Sequence, residues 1–214
     1  MNIAILFGAP GMGMVDGERV SYNRAWMVRP DGAREKYDKV HLVPFGEYVP
    51  MGRALFFVRK MAHSIGDMLP GERAHNLDAG GFSAGPQICF EVIFPRYTRQ
   101  QAAQGAGVIA NITNDAWFGR SAMSNQSLAM AVFRAVENRI PLVRAAQSGV
   151  SAIVQPTGEI TGATELFART TLMGGFVPRT GPLSPYTRSG GAFAWLILAG
   201  AVAVSALVWR SRRP

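Results

Sequence analysis

The feature that most constrains this chain is an uncharged apolar stretch at residues 192–209. As an α-helix it would extend about 27 Å at a rise of about 1.5 Å per residue, which is close to the hydrocarbon thickness of a bilayer. Trp195 and Trp209 lie near its two ends, where interfacial aromatic side chains are common. A buried helix of a soluble core rarely lacks charge for so long, so the stretch predicts one transmembrane helix.

Basic residues follow this helix at once, because Arg210, Arg212 and Arg213 all lie in the tail at residues 210–214. The positive-inside rule therefore predicts that the tail is cytoplasmic. The residues before the helix would then lie on the opposite side of the membrane, which in a bacterium is the periplasm. Proline, glycine and serine are frequent at residues 180–191, which is typical of a linker and leaves residues 1–179 as the folded domain.

The chain has 214 residues and a formal net charge of +8, but its arginines are scattered and form no long run. A basic balance suits anionic lipid, acidic substrates or nucleic acid. The sequence has no zinc-finger spacing, phosphate-binding glycine loop or RNA-binding aromatic signature, which argues against a nucleic-acid partner. One cysteine and three histidines give no metal-ligand spacing, so no metal or other cofactor is expected.

Short apolar runs alternate with helical periodicity through the domain, which predicts an α/β fold. Glycine and proline at residues 8–11 predict a loop after the first strand. A basic amphipathic pattern at residues 51–69 fits a helix on a membrane surface, or equally a surface helix that packs on its own core. Strands are predicted at residues 2–7, 23–28, 37–43, 85–90, 107–112, 142–146, 151–155 and 172–177, and further helices at residues 96–104 and 128–139.

Cys89 is the only cysteine of the chain and ends a predicted strand. A thiol at that position can be presented as a nucleophile on a sharp turn, although a lone cysteine is more often a small buried apolar residue. A nucleophilic thiol needs a base or a positive neighbour. Lys39 is one candidate, because an ammonium group can stabilise the oxyanion of a tetrahedral intermediate, but Lys39 also fits a solvated surface charge.

Two carboxylates accompany these residues. Glu47 follows Lys39 by eight residues in an apolar loop that holds two prolines, and Glu91 follows Cys89 by two. Either carboxylate could orient Lys39 or take part in proton transfer. Each also fits a structural salt bridge, and the residues alone do not separate these possibilities.

Several segments of the chain resemble those of apolipoprotein N-acyltransferases. Residues 37–50 (YDKVHLVPFGEYVP) are similar to the lysine segment of that family, and residues 88–95 (ICFEVIFP) to its nucleophile segment. Residues 111–119 (NITNDAWFG) resemble the stretch that follows, and residues 134–152 continue the match. The resemblance covers nearly the whole chain, including the terminal helix.

The resemblance implies a nitrilase-like α-β-β-α sandwich of the carbon-nitrogen hydrolase superfamily, anchored in the bacterial inner membrane. It implies an enzyme that takes an acyl chain from a phospholipid such as phosphatidylethanolamine and holds it as a cysteine thioester. The acyl chain then passes to the α-amino group of the N-terminal cysteine of a diacylglyceryl-modified apolipoprotein.

The same resemblance implies roles for five residues. By position, Cys89 would be the nucleophile and Lys39 the oxyanion stabiliser, with Glu47 and Glu91 as auxiliary glutamates. Phe90 would contact substrate; it keeps the aromatic ring of this position, where some members carry tyrosine, but lacks the hydroxyl.

One element of the family pattern has no counterpart in the sequence. The family's triad includes a general-base glutamate well before the lysine, whereas the glutamates that precede Lys39 here, Glu18 and Glu35, have no matching context. We therefore expect an N-terminally incomplete sandwich that lacks this base and the family's N-terminal membrane helices. A thiol without its base is a poor nucleophile, so this polypeptide alone should be inactive or nearly so.

Two other functions remain open. A nitrilase-type amidase with a membrane tail would cleave a small C–N substrate, and a non-catalytic remnant of the acyltransferase would serve in interaction or have no role. The lysine segment at residues 37–50 and the terminal helix favour the acyltransferase over the amidase.

Overall fold

The computed structural model describes residues 3–50 and 68–211. The helix predicted at residues 51–69 therefore lies outside the described residues, except for its last two positions. In chain order the strands are β1 (Ile5–Val15), β2 (Glu18–Val28), β3 (Arg34–Asp38), β4 (Leu77–Asp78), β5 (Ser83–Ile88), β6 (Val108–Asn114), β7 (Leu142–Gln147), β8 (Ala152–Val154) and β9 (Ile160–Ala163). The α-helices are α1 (Pro95–Ala103), α2 (Met123–Asn138), α3 (Pro185–Ser189) and α4 (Ala192–Ser211).

The first three strands form an antiparallel sheet in the order β1-β2-β3. The loop predicted at residues 8–11 is wrong, because β1 runs through it in continuous register with β2. Pro10 is tolerated since β1 is an edge strand of this sheet. Gly11 makes room for a neighbour, because a Cβ there would lie 2.6 Å from Nε of Arg24. The chain turns instead at Asp16 and Gly17, which both have positive φ, as a two-residue hairpin requires.

The second sheet has six strands in the order β4-β5-β6-β7-β8-β9. Its central strands β5, β6 and β7 are parallel, and α1 and α2 make the crossovers between them. The carboxyl ends of parallel strands meet at one edge of a sheet, where ligand sites commonly form. Cys89 follows β5 directly, and Asp115 follows β6 directly, so both lie at that edge.

Two apolar cores lie on the two faces of the six-stranded sheet. One is formed with α1 and α2 and includes Ala102, Ala131 and Ile109. The other is formed with the three-stranded sheet, where Ala25 and Met27 of β2 pack with residues of the six-stranded sheet such as Ala84, Ile88 and Val108. The described residues therefore form a helix layer and two stacked sheets.

Most of the predicted elements are confirmed, with α2 beginning five residues before the predicted helix at residues 128–139. The extended run at residues 37–43 is too long, because β3 ends at Asp38 and the N–H groups of Val40 and His41 donate to a side chain. The strand at residues 172–177 is wrong. That segment forms no ladder, and its Phe176 packs edge-on against Phe82. Strand β9 was not predicted.

The C-terminal segment contains a docked helix and an exposed one. α3 lies within residues 180–191, and Ser184 caps it by accepting from the Thr187 N–H at 3.0 Å. Ser184 Oγ donates to the carbonyl of Glu137 at 2.5 Å, and Thr187 Oγ1 donates to Asn138 Oδ1 at 2.9 Å, so α3 is fixed to the end of α2. α4 is long and apolar enough to cross a membrane, and its described side chains are exposed.

Candidate active site

The backbone at Cys89 makes a sharp turn. β5 ends at Ile88, and Cys89 begins a 3₁₀ turn that leads into α1. Cys89 has φ of +53°, in the left-handed region that residues with side chains seldom adopt. Such strain persists only where the surroundings enforce it, and it is frequent at active sites. The half-buried thiol is therefore presented at the carboxyl edge of the parallel strands.

One buried carboxylate joins the nucleophile segment to the lysine segment. Glu91 is fully buried, and its Oε1 accepts from the N–H groups of Val40 at 2.7 Å and His41 at 3.1 Å. Its Oε2 accepts from the N–H of Ile88 at 2.8 Å. These donors stand immediately after Lys39 and immediately before Cys89, so Glu91 fixes the two segments to each other.

A tyrosine completes the surroundings of this carboxylate. Tyr37, fully buried on β3, donates its hydroxyl to Glu91 at 3.0 Å. Burial raises the pKa of Glu91, while the hydrogen bonds from Ile88, His41, Val40 and Tyr37 act in the opposite direction. Burial, together with the nearby Glu91, also raises the pKa of Tyr37. Tyr37 therefore stays a hydrogen-bond donor at all ordinary pH values.

Lys39 forms an ion pair with Glu47. Its Nζ is 2.9 Å from Oε1 and 2.8 Å from Oε2 of that carboxylate, and the lysine is 1% exposed. Glu47 also accepts from Asn23 Nδ2 at 2.7 Å and from the N–H of Val43 at 2.8 Å. An ammonium group has three donors. Because Glu47 accepts from Lys39 with both oxygens, one N–H of Lys39 has no acceptor among the described residues.

A buried polar network lies behind the Cys89 turn. Asn111 of β6 donates from Nδ2 to the carbonyls of Gln87 at 3.1 Å and Cys89 at 3.2 Å. Its Oδ1 accepts from Nη1 of Arg144, which lies on β7. Nη2 of Arg144 donates to Asp115 at 2.8 Å, and the two side chains are 0% and 1% exposed. The backbone of Cys89 is thereby connected to a charge pair that is excluded from water.

Neighbouring groups pack closely around the Arg144–Asp115 pair. Burial lowers the pKa of Arg144, while the charges of Asp115 and Cys89 act in the opposite direction. Asp115 also accepts from Thr113 Oγ1 at 2.8 Å. A Cβ at Gly149 would collide with the Asp115 carboxylate, so glycine is required there for close approach of the backbone.

Aromatic side chains lie in the two 3₁₀ turns that follow β5 and β6. The half-buried ring of Phe90 is 6.1 Å from that of Phe118, at a tilted angle of 56°. Next to Phe118, Trp117 is 87% exposed. The ring contact brings the turns after β5 and β6 together, and the assignment of Phe90 to substrate binding stays a prediction.

The sequence identified the candidate catalytic residues but not the buried residues that hold the Cys89 turn in place. It named Lys39, Glu47 and Glu91 but gave no role to Asn111 or Arg144. The available signal was a charged side chain inside an otherwise apolar strand, since residues 142–146 read LVRAA.

In the described part of the chain, neither of the two upstream glutamates, Glu18 and Glu35, forms a hydrogen bond with the Cys89 thiol. Glu18 begins β2 and is exposed. Glu35 accepts from the N–H of Asp78. Within the described ranges, no carboxylate is hydrogen-bonded to Cys89, and no group of three or more His, Cys, Asp or Glu side chains could hold a metal ion.

The fold and the turn at Cys89 define a class of protein. The carbon-nitrogen hydrolase family model matches residues 1–179, and the chain belongs to that family. It is 48% identical over 199 residues to an apolipoprotein N-acyltransferase of Geobacter metallireducens, which covers 92% of this chain and 38% of the relative. It is 41% identical over 156 residues to the Brucella suis protein of the same name, covering 71% of this chain and 29% of the relative. The chain thus spans less than two fifths of the length of these relatives.

Solved structures agree on the fold. A carbon-nitrogen hydrolase from Helicobacter pylori has a TM-score of 0.57 and 16% identity, covering 76% of this chain and 58% of that one. A mutant amidase from Nesterenkonia sp. AN1, in which acrylamide has added to the active site cysteine, has a TM-score of 0.54 and 25% identity, covering 77% of this chain and 60% of that one. The nitrilase-like fold expected from the sequence is confirmed.

Proposed function

We propose that this chain serves in N-acylation of the lipidated N-terminal cysteine of apolipoproteins. The observation that carries the proposal is the Glu91 carboxylate, which binds the N–H groups next to Lys39 and next to Cys89 in one buried cluster. A lysine and a strained cysteine held by one anchor suit acyl transfer through a covalent intermediate. The relatives named above supply the substrate class.

The proposed reaction has two acyl-transfer steps. In the first, the sulfur of Cys89 attacks an ester carbonyl of a phospholipid such as phosphatidylethanolamine, the thiol proton passes to the departing alkoxide, and a lysophospholipid leaves. In the second, the α-amine of the diacylglyceryl-modified cysteine attacks the thioester, loses a proton and forms an amide while Cys89 regains its thiol. Lys39 would donate its remaining N–H to the oxyanion in each step.

Residues 1–179 are the domain that would perform this chemistry. Residues 180–191 would join it to the membrane helix at residues 192–209, and residues 210–214 would form the tail. We propose that the tail is cytoplasmic and that the domain faces the periplasm, because Arg210, Arg212 and Arg213 follow the helix directly. The single cysteine makes this testable: a membrane-impermeant maleimide should label Cys89 in spheroplasts without lysis. Labelling that requires lysis would reverse the orientation.

A chimera tests the activity. The aligned segment of the Geobacter metallireducens relative is replaced by this chain, and N-acylation of a lipoprotein is followed by mass spectrometry in a strain depleted of its own enzyme. We expect an amide-linked acyl chain from the chimera and none from the chimera with Cys89→Ser. A chimera that leaves the lipoprotein unmodified while the parent protein acylates it would contradict the proposal.

The 214-residue chain by itself should show little or no acyl transfer in vitro, because no carboxylate in its described part bonds to the thiol. Purified chain, lipid donor and lipopeptide substrate suffice for the measurement. Full turnover by the chain alone would contradict this part of the proposal.

Amidase activity is the second candidate, and the similarity to the Nesterenkonia amidase favours it. The two functions differ in what acylates Cys89. An alkyne-tagged phosphatidylethanolamine should give a hydroxylamine-sensitive label on the chimera, whereas butyramide should release no ammonia. The opposite pair of results would identify an amidase.

A further inference from the structure

A cavity of about 470 Å³ lies where the domain meets the start of α4. Neither Cys89 nor Lys39 lines this cavity, so it is distinct from the proposed catalytic site. Its walls come from the loop after β3, from the first turns of α1, and from α3 with the residues that follow it. The lining residues are His41, Phe94, Pro95, Arg96, Arg99, Tyr186, Gly190 and Gly191.

The cavity is positively charged. Among the described residues, Arg96 and Arg99 are the only ionised side chains that line it at neutral pH, and no carboxylate is among these lining residues. The Arg96 guanidinium stacks over the ring of Tyr97 at 4.6 Å, and its Nη2 is 3.4 Å from Nδ1 of His41. These contacts hold the Arg96 side chain against the wall and leave further donors for an acceptor.

Arg99 has a buried donor without an acceptor. Its Nη2 donates to the carbonyl of Arg188 at 3.3 Å, but its Nε is buried and makes no hydrogen bond within the described residues. An unsatisfied buried donor of a charged group is costly, and each one in a folded protein calls for a partner. An anion bound next to this guanidinium would offset the charge that the buried Nε leaves unsatisfied.

The backbone around Arg99 is shaped to this side chain. Gly190 has φ of +57°, and a Cβ there would lie 2.9 Å from Cζ of Arg99. Glycine at this position therefore lets the chain pass directly against the guanidinium. The N-terminus of α1 adds the positive end of the helix dipole at the same wall, which favours an anion further.

The position of the cavity indicates which anion it meets. Gly191 lines it, and α4 begins at the next residue with exposed apolar side chains. When α4 is in a bilayer, the end that begins at Ala192 lies at the level of the lipid headgroups. Arginine binds phosphate oxygens in pairs with good geometry. We propose that this cavity binds the phosphodiester group of a membrane phospholipid through Arg96 and Arg99.

This site goes beyond acyl transfer, and its test does not need a reactive Cys89. The full chain with Cys89→Ser is purified in dodecyl maltoside micelles, so that no lipid is consumed at the nucleophile. Binding of dioctanoyl phosphatidylglycerol is then measured by isothermal titration calorimetry. The variants are Arg96→Gln, Arg99→Gln and Arg99→Lys, and the control is Arg19→Gln, which removes an exposed charge near the tip of the β1–β2 hairpin.

We expect Arg96→Gln and Arg99→Gln each to weaken lipid binding about tenfold, since each removes a charge-assisted donor. Arg99→Lys should lie between wild type and Arg99→Gln, and Arg19→Gln should bind like wild type. The proposal is overturned if both glutamine variants bind as tightly as the control. It is also overturned if dioctanoylglycerol, which lacks the phosphate, binds equally well, or if inorganic phosphate displaces the lipid at matching concentrations, which would identify a site for the free ion.

Discussion

The six-stranded sheet supports Cys89 with a charge pair closed off from water, whereas the three-stranded sheet supports Lys39 with a pair that reaches the surface. The side chains of Arg144 and Asp115 are 0% and 1% exposed, while those of Lys39 and Glu47 are 1% and 13% exposed. The first pair is connected to Cys89 through Asn111 and the Cys89 backbone carbonyl. In the second pair, the Lys39 ammonium group is itself the proposed oxyanion donor.

This difference separates structural support from chemistry. Removing one member of a fully buried pair leaves an uncompensated charge in a medium of low polarity, so its main cost is stability. Removing the ammonium of Lys39 removes a group that would meet the reacting carbonyl, so its main cost is rate. The predictions below test this division, from the largest effect to the smallest.

Asp115→Asn should lower the free energy of unfolding by about 3–5 kcal/mol, because the Arg144 charge stays buried without its partner. Urea unfolding of the chain in detergent measures the loss. Glu165→Gln, at an exposed carboxylate, should change stability by no more than about 0.5 kcal/mol. A loss below about 1 kcal/mol for Asp115→Asn, which is typical of exposed pairs, would remove the distinction between the two sheets.

Lys39→Gln should slow acylation of Cys89 in the chimera by about 10²–10³-fold, the usual cost of one oxyanion donor. Its effect on stability should be smaller than that of Asp115→Asn, because Glu47 keeps Asn23 and Val43 as donors. Single-turnover labelling gives the rate, and urea unfolding gives the stability. The matched control is Lys36→Gln, at an exposed lysine of β3, the strand that ends just before Lys39. Equal rates for the two variants would show that Lys39 is structural.

Gly149→Ala should cost about 1–3 kcal/mol, because the new methyl group must displace the Asp115 carboxylate from its pair with Arg144. Gly175→Ala is the comparison, since a Cβ at Gly175 meets no atom within 4 Å. Thermal unfolding of both variants is enough to measure the difference. If the two variants have the same melting temperature, the close approach at Gly149 is not important for the network.

Arg96→Gln should raise the pKa of His41 toward its ordinary value of 6.5. Burial lowers this pKa most, followed by the charges of Arg96 and Lys39, while Glu47 acts in the opposite direction. Because folding lowers this pKa, the unfolded chain binds the proton more readily, and acidification through the histidine range destabilises wild type more than the variant. NMR titration of the His41 ring measures the shift. An unchanged or lower pKa would show that Arg96 does not act on the loop after Lys39.

The sequence predicted the parts of the fold that depend on periodicity. The helix at residues 96–104 and the strands at residues 107–112 and 142–146 follow from apolar spacing, and each is confirmed. Residues 8–11 were misinterpreted because glycine and proline are typical of loops, whereas here they accommodate an edge strand and the Arg24 side chain. Local composition cannot show which neighbour a glycine admits.

The candidate site could also be predicted only in part from the sequence. The segments that hold Lys39 and Cys89 could be recognised as continuous motifs, so their residues were named from the sequence. The links between them could not, because Glu91 binds Val40 across 51 positions and Arg144 binds Asp115 across 29. The packing of the two sheets brings Glu91 to Val40, and the pairing of β6 with β7 brings Arg144 to Asp115.

The docking of α3 onto the end of α2 limits how far the domain can move from a membrane. Only Gly190 and Gly191 separate α3 from α4, and two extended residues reach about 7 Å. With α4 in a bilayer, the domain is held close to its surface and cannot swing out on a long tether. A substrate anchored in the same membrane then meets the enzyme by diffusion in two dimensions, and its reacting group needs to rise only a short distance from the surface.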